Sequence, residues 1–234
     1  MTRRQPLAGG FRLGGWGTIP RMAVRTDDQL IEHREPPQPR MTWEEFVAWL
    51  DEDTWAEWVD GEVSVMSPAS LVHQRIRDWL AFILSTFVNR RALGEVITAP
   101  FLVQILSRPR GREPDLLFVG REHADRLEET YLRGPADLVV EIVSPESIAR
   151  DRGDKFVEYE EEGFSEYWII DPLRQRAEFY QLDGHGRYAA IQPDADGVYH
   201  ARAVPGFWLR ADWLWQSPLP DVLEVLKGLG VEQA

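Results

Sequence analysis

Two acidic residues and one lysine in the middle of the chain have the types and spacing of a site for phosphoryl transfer. Asp115 begins the apolar run DLLFV, and Glu141 interrupts the apolar run DLVVEIV. Side chains alternate between faces along a strand, so Glu141 shares its face with Val139 and Val143, where an ionised carboxylate is costly unless paired or metal-bound. Lys155 follows on a predicted helix. The pattern predicts a site where two strand carboxylates and one helix cation meet.

The chain contains no cysteine, so a metal at this site must be held by oxygen or histidine. Paired carboxylates suit Mg²⁺ or Mn²⁺, which prefer oxygen ligands and retain several waters. Such an ion neutralises charge on a transferring phosphate and lowers the pKa of a bound water. A nearby lysine can orient that water or stabilise the developing oxyanion, and Lys155 is the candidate. Glu57, beside another apolar strand, is a third acid that stands out.

The composition indicates one soluble domain with an acidic surface. A length of 234 residues suits a single domain, and an apolar content of 44% is ordinary for a globular protein. The longest apolar stretch, residues 79–88, is shorter than the ~20 residues of a membrane span, so we expect no membrane association. Without cysteine or an apolar signal segment, we expect a cytoplasmic protein. A net charge of −13 argues against tight nonspecific binding of nucleic acid.

Arginines cluster on both sides of the candidate acids. Arg110 and Arg112 precede Asp115, and Arg152 precedes Lys155. Lys and Arg side chains that neutralise phosphates supply most nonspecific affinity for DNA, so we expect these three arginines to contact DNA if DNA is the substrate. Ordinary surface arginines, which only promote solubility, are the alternative.

Periodicity and turn residues give a coarse element order. Residues 1–40 contain glycine and proline without periodicity and are predicted to be a flexible extension, so that one domain spans 41–234. A helix is expected to begin after Thr42, with a capping box at Glu45. Apolar spacing predicts a long helix over 71–89, on which we interpret His73 as a packing or capping residue. The remaining predicted strands, hairpins and helices are a hairpin over 57–63, strands over 95–106, 115–119, 137–143 and 167–171, a helix after Pro145 ending at Gly163, a hairpin over 176–191 and a short helix from Asp221.

This order predicts an α/β (mixed α+β) fold with a mixed central sheet flanked by helices and a C-terminal β-hairpin. The helix between strands 137–143 and 167–171 implies a parallel crossover, because parallel neighbours need a long connection.

Several segments together resemble a known family. The Pro114–Asp115 dipeptide, followed by Glu141 in an apolar strand, resembles the PD-(D/E)xK nuclease superfamily. The segments EWVDGEV, GEVITAPFLV, EPDLLFV, DLVVEIVSPES, RDRGDKFVEYEEEG and EYWIIDP resemble, in that order, the Uma-type restriction endonucleases of bacteria, a largely uncharacterised branch. The resemblance covers roughly residues 41–214 and implies a restriction-endonuclease-like core.

The resemblance also implies roles for particular residues. Asp115, Glu141 and the backbone carbonyl of Ile142 would bind Mg²⁺ or Mn²⁺, and Glu57 would be an accessory acid near the metal. The lysine that the superfamily places two residues after the strand glutamate is Val143 here. The branch that this chain resembles usually carries its lysine on the following helix, where Lys155 lies.

The implied function is metal-dependent hydrolysis of DNA phosphodiester bonds, and cutting both strands of a duplex would favour a homodimer. Two alternatives stay open: a catalytically silent DNA- or protein-binding module of the same fold, and a metal-dependent hydrolase of small phosphorylated substrates. Asp115 could instead be a strand-end cap. Lys155 could instead pair with Asp151 or pack against Tyr159.

Overall fold

The computed structural model describes residues 36–38, 40–51, 54–66 and 69–231. Residues 1–35 of the expected extension lie outside this description, so the division between 1–40 and 41–234 stays a prediction. The first half of the domain contains α1 (Trp43–Trp49), β1 (Ala56–Val59), β2 (Glu62–Val65), α2 (Leu71–Arg91), β3 (Gly94–Thr98), β4 (Leu102–Ile105), β5 (Arg110–Arg112) and β6 (Leu116–Gly120). The second half contains β7 (Tyr131–Arg133), β8 (Leu138–Ile142), α3 (Ile148–Asp151), α4 (Asp154–Glu162), β9 (Glu166–Asp171), β10 (Arg176–Leu182), β11 (Tyr188–Ile191), β12 (Val198–His200), β13 (Trp208–Arg210) and α5 (Val222–Gly228).

The helix starts follow local capping chemistry. The Thr42 hydroxyl accepts from the backbone N–H of Glu45 at 3.2 Å, and the Glu45 carboxylate accepts from the Thr42 N–H at 2.8 Å, which confirms the capping box of α1. At the start of α2 the Ser70 hydroxyl accepts from the backbone N–H of His73, and the Asp221 carboxylate caps α5. The apolar spacing that predicted α2 becomes its buried stripe.

The central sheet has six strands in the order β11-β10-β9-β8-β6-β3. Strands β8 and β9 are parallel and their other neighbours are antiparallel, so the predicted mixed sheet and parallel crossover are confirmed. Apolar residues alternate between its two faces. The face that carries Val140 packs on α2, whereas the face that carries Val139 packs against Tyr159 of α4. Glu141 therefore lies on the α4 side of the sheet.

A second sheet has five strands in the order β2-β1-β5-β4-β7, and β12 pairs with β13 separately. The prediction of one strand over 95–106 is wrong, because β3 joins the six-stranded sheet and β4 joins the five-stranded sheet. The chain crosses from one sheet to the other at Pro100, which has no N–H to donate to a ladder. The predicted hairpins over 57–63 and 176–191 are both present.

The predicted continuous helix ending at Gly163 is two helices, α3 and α4. The break falls at Gly153, where a Cβ atom would lie 2.6 Å from the backbone oxygen of Ala149, so a side chain cannot be placed there without a shift. Gly163 ends α4 with φ 93°, as predicted for a glycine after the last turn. Within the described ranges, no helix is long and apolar enough to cross a membrane.

Candidate active site

Asp115 and Glu141 lie on neighbouring strands and line the same cleft, of about 660 Å³. The β6–β8 register pairs Leu116 with Val140, and its continuation brings Asp115 opposite Glu141. Each is 4% exposed. The adjacency expected from the sequence is therefore present in the structure, and the role of the two carboxylates as metal ligands stays a prediction.

Asp115 has one backbone donor and one histidine beside its carboxylate. Its Oδ2 accepts from the backbone N–H of Ile142 at 2.7 Å, and its Oδ1 lies 3.1 Å from Nε2 of His73. The strand-end cap considered from the sequence thus exists, and the capping residue also faces the cleft. His73 does more than pack, because it contacts a candidate metal ligand.

The same strand end makes a backbone carbonyl available. Continuing the register places Pro114 opposite Ile142, and proline has no N–H to donate. In an antiparallel pair the N–H and C=O of one residue point to the same neighbouring strand. The N–H of Ile142 points to Asp115, so its carbonyl points to the same strand end, where a cation could bind it.

Lys155 is enclosed by three acids. Its Nζ lies 2.8 Å from Oε1 of Glu141, 2.9 Å from Oε1 of Glu57 and 3.5 Å from Oδ1 of Asp151, and the residue is only 2% exposed. Burial by itself lowers the pKa of Lys155, but these carboxylates outweigh it and raise the pKa well above its ordinary value. Lys155 therefore stays protonated at neutral pH.

Glu141 is buried and lies near other acidic side chains. Burial raises its pKa to about 8 against the opposing effect of Lys155, and the charges of Asp151 and Asp115 add to the rise. The hydroxyl of Tyr159 donates to Oε1 at 2.9 Å. Oε2 accepts no hydrogen bond from any residue within the described ranges. A divalent cation at this oxygen would relieve the repulsion among the acids.

Glu57 contacts Lys155 but is not among the residues that line the cleft. It accepts from Nη1 of Arg112 at 2.8 Å in addition to its contact with Lys155. Burial tends to raise its pKa, but Lys155, Arg112 and Arg150 together lower the pKa to about 2. Glu57 thus reaches the site through the lysine, and it does not line the cleft.

The structure separates the three arginines expected at DNA. Arg112 is 2% exposed and enclosed by Glu57 and Glu158, so it has no surface on which a phosphate could bind, contrary to the expectation. Arg110 and Arg152 each pair with two acids. Their partners are Asp60 and Glu158 for Arg110, and Asp171 and Glu178 for Arg152. Phosphate contact by Arg110 or Arg152 stays a prediction.

The oxygen atoms of the candidate site suit a metal ion that keeps several water ligands. Among the residues that the structure describes, no group of three His, Cys, Asp or Glu side chains is arranged to hold a metal. Two carboxylates and one carbonyl remain, all oxygen donors, which is the set that Mg²⁺ uses when it retains several waters.

One buried acid of the cleft was missed by the sequence reasoning. Glu113 lines the cleft and its Oε2 accepts from the backbone N–H of Ala56 at 3.1 Å. Burial and the charge of Glu57 raise the pKa of Glu113 to about 8. Alternation along an extended chain places residues 113 and 115 on one side, and that signal could have identified it.

The mixed six-stranded sheet flanked by helices is the restriction-endonuclease-like architecture that the sequence resemblance implied. The chain belongs to the Uma2 family, described as "Putative restriction endonuclease", whose sequence profile matches residues 43–212.

Two known proteins are similar to this chain. An uncharacterized protein, slr1290, from Synechocystis sp. is 26% identical over 172 residues, which cover 72% of this chain and 88% of that protein. A crystal structure from Anabaena variabilis, described as a "putative nuclease belonging to DUF820", superposes with a TM-score of 0.63 at 17% identity. That likeness covers 75% of this chain and 97% of the other, and it shows the fold.

Proposed function

We propose that this protein is a metal-dependent endonuclease that hydrolyses DNA phosphodiester bonds with Mg²⁺ or Mn²⁺. The observation that supports it best is the placement of Asp115 and Glu141 in register on adjacent strands, facing one cleft beside a buried, protonated Lys155. Membership in the Uma2 family supports a nuclease as well.

In this proposal, Asp115, Glu141 and the carbonyl of Ile142 would hold the divalent ion. When bound, such an ion neutralises phosphate charge and lowers the pKa of a coordinated water. His73 and the Ile142 N–H orient the Asp115 carboxylate, and Tyr159 orients Glu141.

Lys155 supplies a fixed positive charge that can stabilise the negative charge developing on the scissile phosphate. Its position is set in advance by acids on three different elements, β1, β8 and α3. A pre-positioned charge needs no reorganisation at the moment of reaction, which is why this arrangement favours catalysis over a purely structural ion pair.

The test uses purified protein with Mg²⁺ or Mn²⁺ on supercoiled and single-stranded DNA, with Mn²⁺ affinity measured by titration calorimetry. Asp115→Asn should lower Mn²⁺ affinity and cleavage together, because it removes a charged ligand. Glu146→Gln is the matched control, since Glu146 is an exposed acid of the same cleft without an ion pair among the described residues. It should leave both quantities nearly unchanged.

Failure of the wild type to cleave any DNA in either metal would favour the silent binding module. Release of phosphate from nucleotides without DNA cleavage would favour a hydrolase of small substrates. If Asp115→Asn cleaves DNA at the wild-type rate, Asp115 is not a ligand that the reaction needs.

A further inference from the structure

A second groove adjoins the candidate active-site cleft. It has a volume of about 840 Å³ and shares two wall residues, Val72 and Pro172, with the cleft. An extended molecule could therefore lie across Val72 and Pro172, with one part in the cleft and another part in the second groove. The polar and aromatic residues of the second groove are Arg75, Asp78, Gln175, Trp215, Gln216 and Ser217.

Arg75 differs from the arginines that the sequence singled out. It is exposed, and its side chain makes no hydrogen bond or ion pair with any residue in the described part of the chain. Asp78, the acid in the same groove, already accepts from Arg77 at 2.9 Å. The guanidinium of Arg75 is thus available to an anion at the groove.

Trp215 gives the groove an aromatic wall. It is partly buried and packs against the main core, so its ring is supported from behind while it lines the groove. The exposed Gln216 and Ser217 follow it. An aromatic surface on which a base can stack, beside a cation that can contact the backbone, is the combination that proteins use for single-stranded nucleic acid.

The same features disfavour a duplex in this groove. A duplex is held mainly by many phosphate contacts. The chain carries a net charge of −13, and Arg112 is enclosed by internal acids. Among the described residues, this groove is lined by one arginine without an ion pair and by one aromatic ring, which match a short unpaired segment better than a double helix.

We propose that this groove binds the flank of a single-stranded polynucleotide whose scissile phosphodiester lies in the adjoining cleft, with Arg75 on a phosphate and Trp215 stacked on a base. The inference rests on the proposed nuclease function and adds its substrate class. DNA and RNA share the chemistry that the groove recognises, so the test includes both.

The test measures fluorescence anisotropy of a labelled 12-nucleotide DNA, an RNA of the same sequence and the matching DNA duplex, in EDTA so that no strand is cut. The single strands should bind more tightly than the duplex. Arg75→Glu should weaken single-strand binding by about tenfold, and Arg75→Ala should lower the slope of log K against log salt by about 0.7, the value for one phosphate on a single strand. Trp215→Ala should weaken binding by about tenfold.

Arg90→Ala is the matched control, because Arg90 is an exposed arginine of the same helix that lines a different groove. It should bind like the wild type. Arg75 is exposed, so its variants keep the test valid even if Trp215→Ala fails to fold.

The test distinguishes failure of the groove proposal from failure of the nuclease proposal. If the wild type cleaves DNA but both Arg75 variants bind and cleave as it does, the groove assignment is overturned and the nuclease proposal stands. If the wild type never cleaves but single-strand binding depends on Arg75, the nuclease proposal fails and the groove stands. Tighter binding of the duplex than of both single strands would overturn the single-strand assignment.

Discussion

Arg112 donates two hydrogen bonds to the carboxylate of Glu158, from Nε to Oε2 at 2.8 Å and from Nη2 to Oε1 at 2.9 Å. Arg112 lies on β5 of the five-stranded sheet, and Glu158 lies on α4, one turn after Lys155. This bidentate pair therefore attaches the helix that carries the candidate catalytic lysine to the second sheet.

We expect Glu158→Ala to lower the free energy of unfolding by about 3 kcal/mol, because removal of one partner of a buried pair leaves a charge uncompensated. The loss should fall at the lower end of the usual range, since Glu57 still accepts from Arg112. Urea denaturation provides the measurement. Glu161→Ala is the control on the same helix: its partner Arg108 is partly exposed, so the loss should stay below about 1 kcal/mol. Equal losses would show that burial does not set the strength of these pairs.

Lys155→Met should lower turnover by about 10²–10⁴-fold, the range for a positioned catalytic group, and leave Mn²⁺ affinity within a few fold of the wild type. It should also destabilise the protein, because Glu57 and Glu141 lose their shared cation. Adding Glu57→Gln should restore part of the stability and none of the turnover. Cleavage rates in saturating Mn²⁺ and urea denaturation separate the two effects.

Recovery of turnover in the double variant would mean that Lys155 acts only by stabilising the fold. If Lys155→Met alone cleaves DNA at the wild-type rate, Lys155 has no catalytic role.

Glu57 should make stability depend on acid pH. Its folded-state pKa of about 2 lies below the ordinary value of 4.5, so its contribution is fully present above pH 4.5 and is lost as the pH falls towards 2. This difference in the pKa of Glu57 between the folded and unfolded states corresponds to about 3 kcal/mol in the free energy of unfolding. Urea denaturation at pH 6 and pH 3 should therefore show a smaller acid loss for Glu57→Gln than for the wild type. An identical loss in both proteins would contradict the assignment.

Deletion of residues 1–40 should leave the unfolding temperature nearly unchanged, because segments that bury little apolar surface add little stability. Met41→Ala is the informative contrast. Met41 is 5% exposed, so its truncation should cost about 2 kcal/mol or more. Calorimetric unfolding of both variants tests where the domain begins. A loss of several degrees after the deletion would place part of the extension on the core.

Local features of the sequence predicted local structure well. The capping box at Thr42, the apolar stripe of α2 and the hairpin over 57–63 depend on neighbours a few residues apart, and all three are present. The adjacency of Asp115 and Glu141 was also predictable, because strands that follow one another along the chain are usually neighbours in the sheet.

Features that depend on distant partners were not predictable. The sequence shows Arg110 and Arg112 as one basic cluster, but their burial depends on α4, which approaches from more than forty residues away. The division of 95–106 between two sheets depends on the strands that receive each part. The break at Gly153 requires a residue without a side chain, and the backbone oxygen of Ala149 that imposes this requirement comes close only in the folded turn.

The pairing of Lys155 with Glu57 of one sheet and Glu141 of the other has a consequence for how the candidate site forms during synthesis. Ribosomes deliver Glu57 first and Lys155 last of the three, so both acids are synthesised before the lysine that joins them. A nascent or truncated chain that ends before α4 therefore lacks the assembled candidate site.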